Sequence, residues 1–265
     1  LYGAYAAAAF RDRLAYRTDA LLGVAGAAIK ILLAAVLWTA VFAGKETVAG
    51  MGLGQMVSYY VLAMVLAQAD RSDEYVWTFA AEIRSGDFAK NLVRPVDPLG
   101  VFLAVAAGRS AVHAAAAVAA AALIAFVGTA AAPGAFAAPD PAGIALALPV
   151  AALGLLSLAL LNFMTAILAF AFQDITPFHL VKGNLVELLS GAVLPLAVLP
   201  AWAGAVLAWT PFPAMVSAPV RLSLGFGFSD YGRTLLVAAL WAAGLAVAAR
   251  LAYRALASRF EGVGL

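Results

Sequence analysis

This sequence predicts an all-α, polytopic membrane protein, and three observations predict it. Hydrophobic residues make up 65% of the 265 and charged residues 11%, whereas a soluble domain carries about 25% charged residues. The apolar residues fall in runs of roughly 20 or more, which at about 1.5 Å per helical residue match a hydrocarbon core of about 30 Å. The basic residues collect in alternate connections, as the positive-inside rule requires of a chain that crosses repeatedly.

The elements follow in order. Residues 2–17 alternate an Ala/Tyr/Phe face with Arg11, Asp12, Arg13 and Arg17, which suits an amphipathic helix lying at a membrane surface. Because the sequence opens on Leu1 and shows no cleavable secretion signal, the natural start is expected to lie upstream. Spans are expected over 20–42 and 55–70, separated by a short hairpin linker. A polar stretch, 71–98, ends in Arg94-Pro95-Val96-Asp97-Pro98 and is the one substantial soluble segment. Further spans are expected over 101–128, 144–172, 178–199 and 231–254. Between the last two, 200–219 holds two short apolar pieces around Trp202 and Trp209, cut by Thr210-Pro211-Phe212-Pro213. Neither piece is long enough to cross, so a re-entrant helical hairpin is expected there. An even number of spans puts both termini on one side. With that side cytoplasmic, Arg71, Arg84, Lys90, Arg94, Lys182, Arg250 and Arg254 all fall on or near it.

Composition also excludes functions. A formal net charge of +2 with scattered basic residues does not suit a nucleic-acid partner. The chain has no cysteine, so disulfides, thiolate metal sites and cysteine nucleophiles are ruled out and the redox compartment is not readable. Only His113 and His179 are present, in no zinc-binding spacing. A phosphate-binding loop needs glycines for a backbone nest followed by Lys and Ser/Thr. The nearest approach, Gly44-Lys45, is followed by Glu46 and has Thr39 where the first glycine belongs. No cofactor is therefore expected on this chain, and any ATP must be hydrolysed by another.

Several residues stand out against this background. Lys30 and Glu187 fall inside expected spans, where a central charge costs about 2.5 to 3.5 kcal/mol. They either line a translocation route or are structural, paired with each other or with backbone. Asn184, Glu187, Gly191 and Pro195 recur at helical spacing, as do Asn162 and Thr165. Such stripes point into protein, as a substrate path or as ordinary glue between spans. Arg109 and His113 share a helix face and suit an interfacial anchor. In the polar stretch, Val76, Phe79, Ala80 and Ile83 share one helical face, with Glu82 and Arg84 outside it. Gly86 is a natural stop, and Phe88 and Leu92 form a second apolar patch. Such a helix offers a plug for a groove.

Taken in order, these features resemble the permease subunits of type-2 ATP-binding-cassette exporters, in the branch of small six-span bacterial permeases. The resemblance covers nearly the whole chain. It rests on Phe10-Arg11-Asp12-Arg13-Leu14-Ala15-Tyr16-Arg17, on Glu82-Ile83-Arg84-Ser85-Gly86-Asp87-Phe88 leading to Leu92-Val93-Arg94-Pro95, and on Leu189-Ser190-Gly191-Ala192-Val193-Leu194-Pro195-Leu196. It implies that Arg11 and Arg13 of the surface helix, with Phe79, Glu82, Ile83, Arg84, Gly86 and Phe88, meet two ATPase subunits that carry ATP and Mg. It implies a second permease, identical or related, short helices capping the extracellular end, and residence in the bacterial cytoplasmic membrane. The rival is a secondary transporter driven by an ion gradient, which would want several intramembrane carboxylates and internal pseudo-symmetry. One good carboxylate and no repeat are found here.

Overall fold

In the computed structural model the described residues are 1–15, 17–88, 96–131, 134 and 136–258. Among them the chain forms eleven α-helices, a few 3-10 turns and no strand. These are α1 (Tyr2–Ala15), α2 (Arg17–Val41), α3 (Leu53–Ala69), α4 (Ser72–Arg84), α5 (Pro98–Ala131), α6 (Pro141–Ala166), α7 (Thr176–Leu189), α8 (Ala201–Leu207), α9 (Phe212–Met215), α10 (Ser217–Ser223) and α11 (Tyr231–Ala257). Three stretches, Pro98–Phe126, Pro141–Phe170 and Phe228–Ala257, are long and apolar enough to cross a membrane, and Ile29–Val41 is a shorter apolar helix. The fold is that of an all-α, multi-pass membrane protein.

The centre of the bundle is α6. Its start is set by Asp140, whose side chain accepts a hydrogen bond from the Gly143 N–H at 2.7 Å, with Pro141 at the first helical position, where a missing N–H costs nothing. The second half of α6 packs on α4, α5 and the later turns of α11 through Leu160, Phe163, Ala166, Ile167, Leu245 and Ala249. The first half packs on α9, α10 and the opening turns of α11 through Ala147, Val150, Ala214, Leu222 and Ala238. So α4 and the short helices before α11 cover opposite ends of one spine.

Close approach at the second of these contacts depends on glycine. A Cβ built on Gly154 would lie 2.1 Å from the Ala214 carbonyl oxygen, and one on Gly143 would lie 2.0 Å from that of Leu222. Helix α1 is seated by the same device: a Cβ on Gly108 of α5 would meet the Ala6 carbonyl oxygen at 2.2 Å. The N-terminal helix therefore lies against α5, with Ala9 buried and the Tyr2 hydroxyl accepting from the Asp97 N–H at 3.2 Å.

The expected fifth span, 178–199, is not one helix. Helix α7 stops after 14 residues, a rise of about 21 Å at 1.5 Å per residue, short of a hydrocarbon core of about 30 Å. Gly191 turns the chain at φ +88°, a conformation glycine adopts without steric cost. Pro195 and Pro200 lack the N–H that a helix continuing through them would need, and the next α-helix starts only after Pro200. The hairpin region runs further than 200–219, through three short helices to Ser223.

Gly154→Leu is expected to push α9 off α6 and lower the thermal midpoint of the detergent-solubilised protein, overpacking costing about 1 to 3 kcal/mol. Gly244→Leu, which has open space around it, is expected to leave that midpoint unchanged.

Candidate coupling segment and pathway helix

Helix α4 is built by local chemistry. Asp73 and Glu74 occupy its first turn and Arg84 its last, matching the helix dipole at both ends. Gly86 at φ +80° ends it, and the Phe88 N–H closes the turn onto the Glu82 carbonyl at 2.9 Å, a glycine-dependent C-cap. The stop expected at Gly86 is found there. Residues 89–95, including Lys90, Leu92 and Arg94, lie outside the described residues.

The apolar face of α4 is occupied within this chain. Phe79 is 2% exposed, Ile83 2% and Phe88 0%. The Phe79 ring lies 5.4 Å from Phe88, 5.7 Å from Phe102 and 5.7 Å from Phe163, the centroid range of edge-to-face and tilted aromatic pairs. Phe88 meets Phe170 at 5.3 Å. The face expected as a plug for a partner's groove thus seats the segment on α5, α6 and α11. On the outer side, Trp77, Thr78, Ala81, Arg84, Ser85 and Asp87 are exposed and Glu82 is half-buried. Arg84 donates to the Gln173 carbonyl at 2.7 Å, tying this turn to the connection before α7. Arg11 is exposed on α1, whereas the side chain of Arg13 lies outside the described part of the structure.

The helix anchor expected at Arg109 and His113 has a defined contact. The Arg109 guanidinium stands 5.2 Å from the Tyr75 ring centroid of α4, within cation–π range. Burial, and after it the Glu82 carboxylate, push the Tyr75 phenol up to about 12, so the ring facing Arg109 is neutral near pH 7.

Asn162, read from its spacing as lining a path or gluing spans, is fully buried at the meeting of four elements. Its amide N–H donates to the Ser72 hydroxyl at 2.6 Å and reaches the Asp70 carboxylate at 3.4 Å. Its carbonyl accepts from the Lys182 ammonium. Ser72 in turn donates to Asp70 from its hydroxyl at 2.6 Å and its N–H at 3.1 Å. A continuous chain of hydrogen bonds therefore runs from the end of α3 through the start of α4 and the middle of α6 to α7. Beside it the His179 ring of α7 lies 5.0 Å from Trp77 of α4. Sequence reasoning missed Asp70, Ser72 and Lys182 as members of this cluster. The only local signal was the Asp70-x-Ser72 pattern, a side chain capping its own helix start. Thr165, the other member of the α6 stripe, is buried and bonds back to the Leu161 carbonyl at 2.9 Å.

Helix α7 is the least embedded of the longer helices. None of its residues is buried. Lys182 and Val186, four apart, face the bundle, while Asn184 and Glu187, three apart, are exposed together with Leu180, Val181 and Leu188. At its start, the Thr176 hydroxyl and N–H hold the Asp174 carboxyl below the usual carboxylate range. Beyond its end, the Tyr59 hydroxyl donates to the Gly191 carbonyl at 2.7 Å and that of Tyr60 to Val193 at 2.9 Å. Lys30 is exposed on α2 and makes no ion pair with Glu187.

Residues 28–264 match the family described as ABC-2 family transporter protein. No curated protein matches the chain. An all-α, multi-pass bundle with an aromatic-seated segment at one end and a capping hairpin at the other accords with that match, which takes in all three stretches long and apolar enough to cross a membrane among the described residues. The chain belongs to the ABC-2 transporter family, as the membrane permease of an ATP-binding-cassette transporter.

Proposed function

We propose that this permease is the membrane half of an ATP-driven exporter: it shares its substrate path with a second permease, identical or related, and is powered by two separate ATPase subunits that carry ATP and Mg. The proposed setting is a bacterial cytoplasmic membrane with both termini in the cytoplasm. Family membership supports the transport role. The observation that carries the mechanism is the hydrogen-bonded chain Asp70–Ser72–Asn162–Lys182, which ties the segment proposed to meet the ATPase to the helix proposed to line the path.

The mechanism uses α4 as a rigid lever. Phe79, Ile83, Gly86 and Phe88 fix its seat and its end, while Trp77, Glu82, Arg84 and Asp87, with Arg11 of α1, face the ATPases; Arg13 is assigned to the same contact from the family resemblance alone. Closure of the ATPases on ATP displaces the lever, and because its inner face is locked into the aromatic cluster the bundle moves with it. Lys182 passes that displacement to α7, which has no buried side chain of its own to hold it. Two states of the path with different affinity for cargo are all that coupling requires. Asn184 and Glu187 face away from this chain's bundle, and a charge facing lipid near mid-membrane would cost about 2.5 to 3.5 kcal/mol. A water-filled path shared with the second permease removes that cost, and Lys30 on α2 is assigned to the same surface.

Five measurements test this reading. Phe79→Ala and Phe88→Ala are expected to cost about 3 to 5 kcal/mol as core truncations, read as loss of folded protein. Arg84→Glu with Asp87→Arg is expected to leave folding intact and to abolish co-purification of the ATPase. Lys182→Met is expected to keep the complex and its ATP hydrolysis while lowering the transport-to-hydrolysis ratio about tenfold, roughly 1.4 kcal/mol, with Lys182→Arg restoring most of it; an unchanged ratio in Lys182→Met removes α7 from the coupling route. Because the chain has no cysteine, Asn184→Cys supplies a single thiol, and where the second permease is a copy of this chain, oxidative cross-linking between the two is expected at it. Full pumping by the permease alone in vesicles would overturn the proposal as a whole.

A further inference from the structure

At the end of the bundle away from α4 there is a cavity of about 500 Å³, within the range of about 300 to 1,000 Å³ typical of small-molecule sites. Its walls differ in chemistry. The floor is apolar and buried, formed by Ala214, Leu222, Val237 and Ala238. Small residues of α8, Ala201, Gly204 and Ala205, leave the opposite wall smooth and the space open. The charged lining comes from Arg221 of α10, Arg233 of α11 and Asp230 just before it. Asp230 is already engaged, its carboxylate 3.1 Å from the Arg233 guanidinium. Arg221 has no carboxylate partner among the described residues. Two guanidinium groups against one carboxylate leave an excess of one positive charge at a cavity whose floor is hydrocarbon.

We infer that this cavity is a binding site for a small amphiphile with a single anionic head, a carboxylate or phosphate on a short apolar chain. A guanidinium presents planar, paired N–H donors that match the two oxygens of such a head. Arg221 supplies the unspent fork, the Arg233–Asp230 pair borders it, and the apolar floor takes the chain. A cation of the same size meets the excess positive charge and only one, already paired, carboxylate. That the site seats cargo on its way out rests on the transport reading above; the binding itself does not.

The test uses the permease alone in phosphatidylcholine nanodiscs, without ATPase or ATP, so that its outcome is independent of transport. Hexyl phosphate is titrated calorimetrically with empty nanodiscs subtracted, beside inorganic phosphate and hexyltrimethylammonium. Hexyl phosphate is expected to bind, inorganic phosphate about tenfold or more weakly for want of the apolar contact, and the ammonium compound not at all. Arg221→Gln is expected to weaken binding about tenfold or more, as loss of a charge-assisted hydrogen-bond pair does, with the thermal midpoint unchanged. Ala205→Trp, which fills the cavity without touching its charges, is expected to abolish binding. Replacing part of the phosphatidylcholine by phosphatidylglycerol separates the two sources of the head: competition identifies a lipid headgroup, and its absence a free amphiphile. Equal binding of anion and cation, or binding unaltered by both Arg221→Gln and Ala205→Trp, overturns the inference.

Discussion

Burial of Phe79 between α4, α5 and α6 is the constraint from which the rest of the architecture follows. A phenyl ring removed from water contributes about 1.5 to 3 kcal/mol, and Phe79 shares that burial with Phe88, Phe102 and Phe163. The amphipathic segment leaving the second apolar helix is therefore folded back onto the bundle and held at one angle. With its inner face fixed there, the outer face of α4 is set in position too, and Arg84 reaches the Gln173 carbonyl. A solvated connecting loop would transmit nothing. A helix clamped by an aromatic cluster moves only with the helices that clamp it.

The same economy is visible along α6. Because Gly143 and Gly154 carry no Cβ, the backbones of α9 and α10 come into direct contact with it, and the short helices before α11 become a fixed cap. Beneath that cap lies the cavity bordered by Arg221 and Arg233. Helix α7 stands apart from this close packing. Its middle is held by the Lys182 ammonium donating to the Asn162 carbonyl, and the chain just past its end by the Tyr59 and Tyr60 hydroxyls donating to the Gly191 and Val193 carbonyls, while its flank carries Asn184 and Glu187 exposed. Few buried apolar contacts are the attribute of an element free to shift.

The permease reading joins these features without asking this chain to perform chemistry. In the proposed mechanism it contributes geometry: a lever at one end, a cap at the other, and a tethered helix between them. The polar chain through Asn162 is suited to that task because a half-satisfied buried network is costly. Its members are driven to move together or to re-pair, and intermediate positions are disfavoured.

How much of this was legible beforehand depends on whether the signal was local. The sequence by itself determined the all-α, membrane-spanning class, because apolar runs of bilayer length and a scarcity of charge admit little else. It also determined the amphipathic helix around Phe79 and its stop at Gly86, since periodicity and a glycine C-cap are short-range features. It did not reveal that α7 ends at Leu189, because an apolar run continues past Gly191 and hydropathy does not register the turn. Nor could it say what covers Phe79: amphipathicity shows that a helix has a face to bury, not whether the groove belongs to the same chain. Asn162 was recognisable as a polar residue that must avoid lipid, but its partners Ser72 and Asp70 lie 90 and 92 residues away in the chain. Only the tertiary structure decides such a pairing, because it depends on which helices are neighbours, and that is fixed by the packing of the whole bundle.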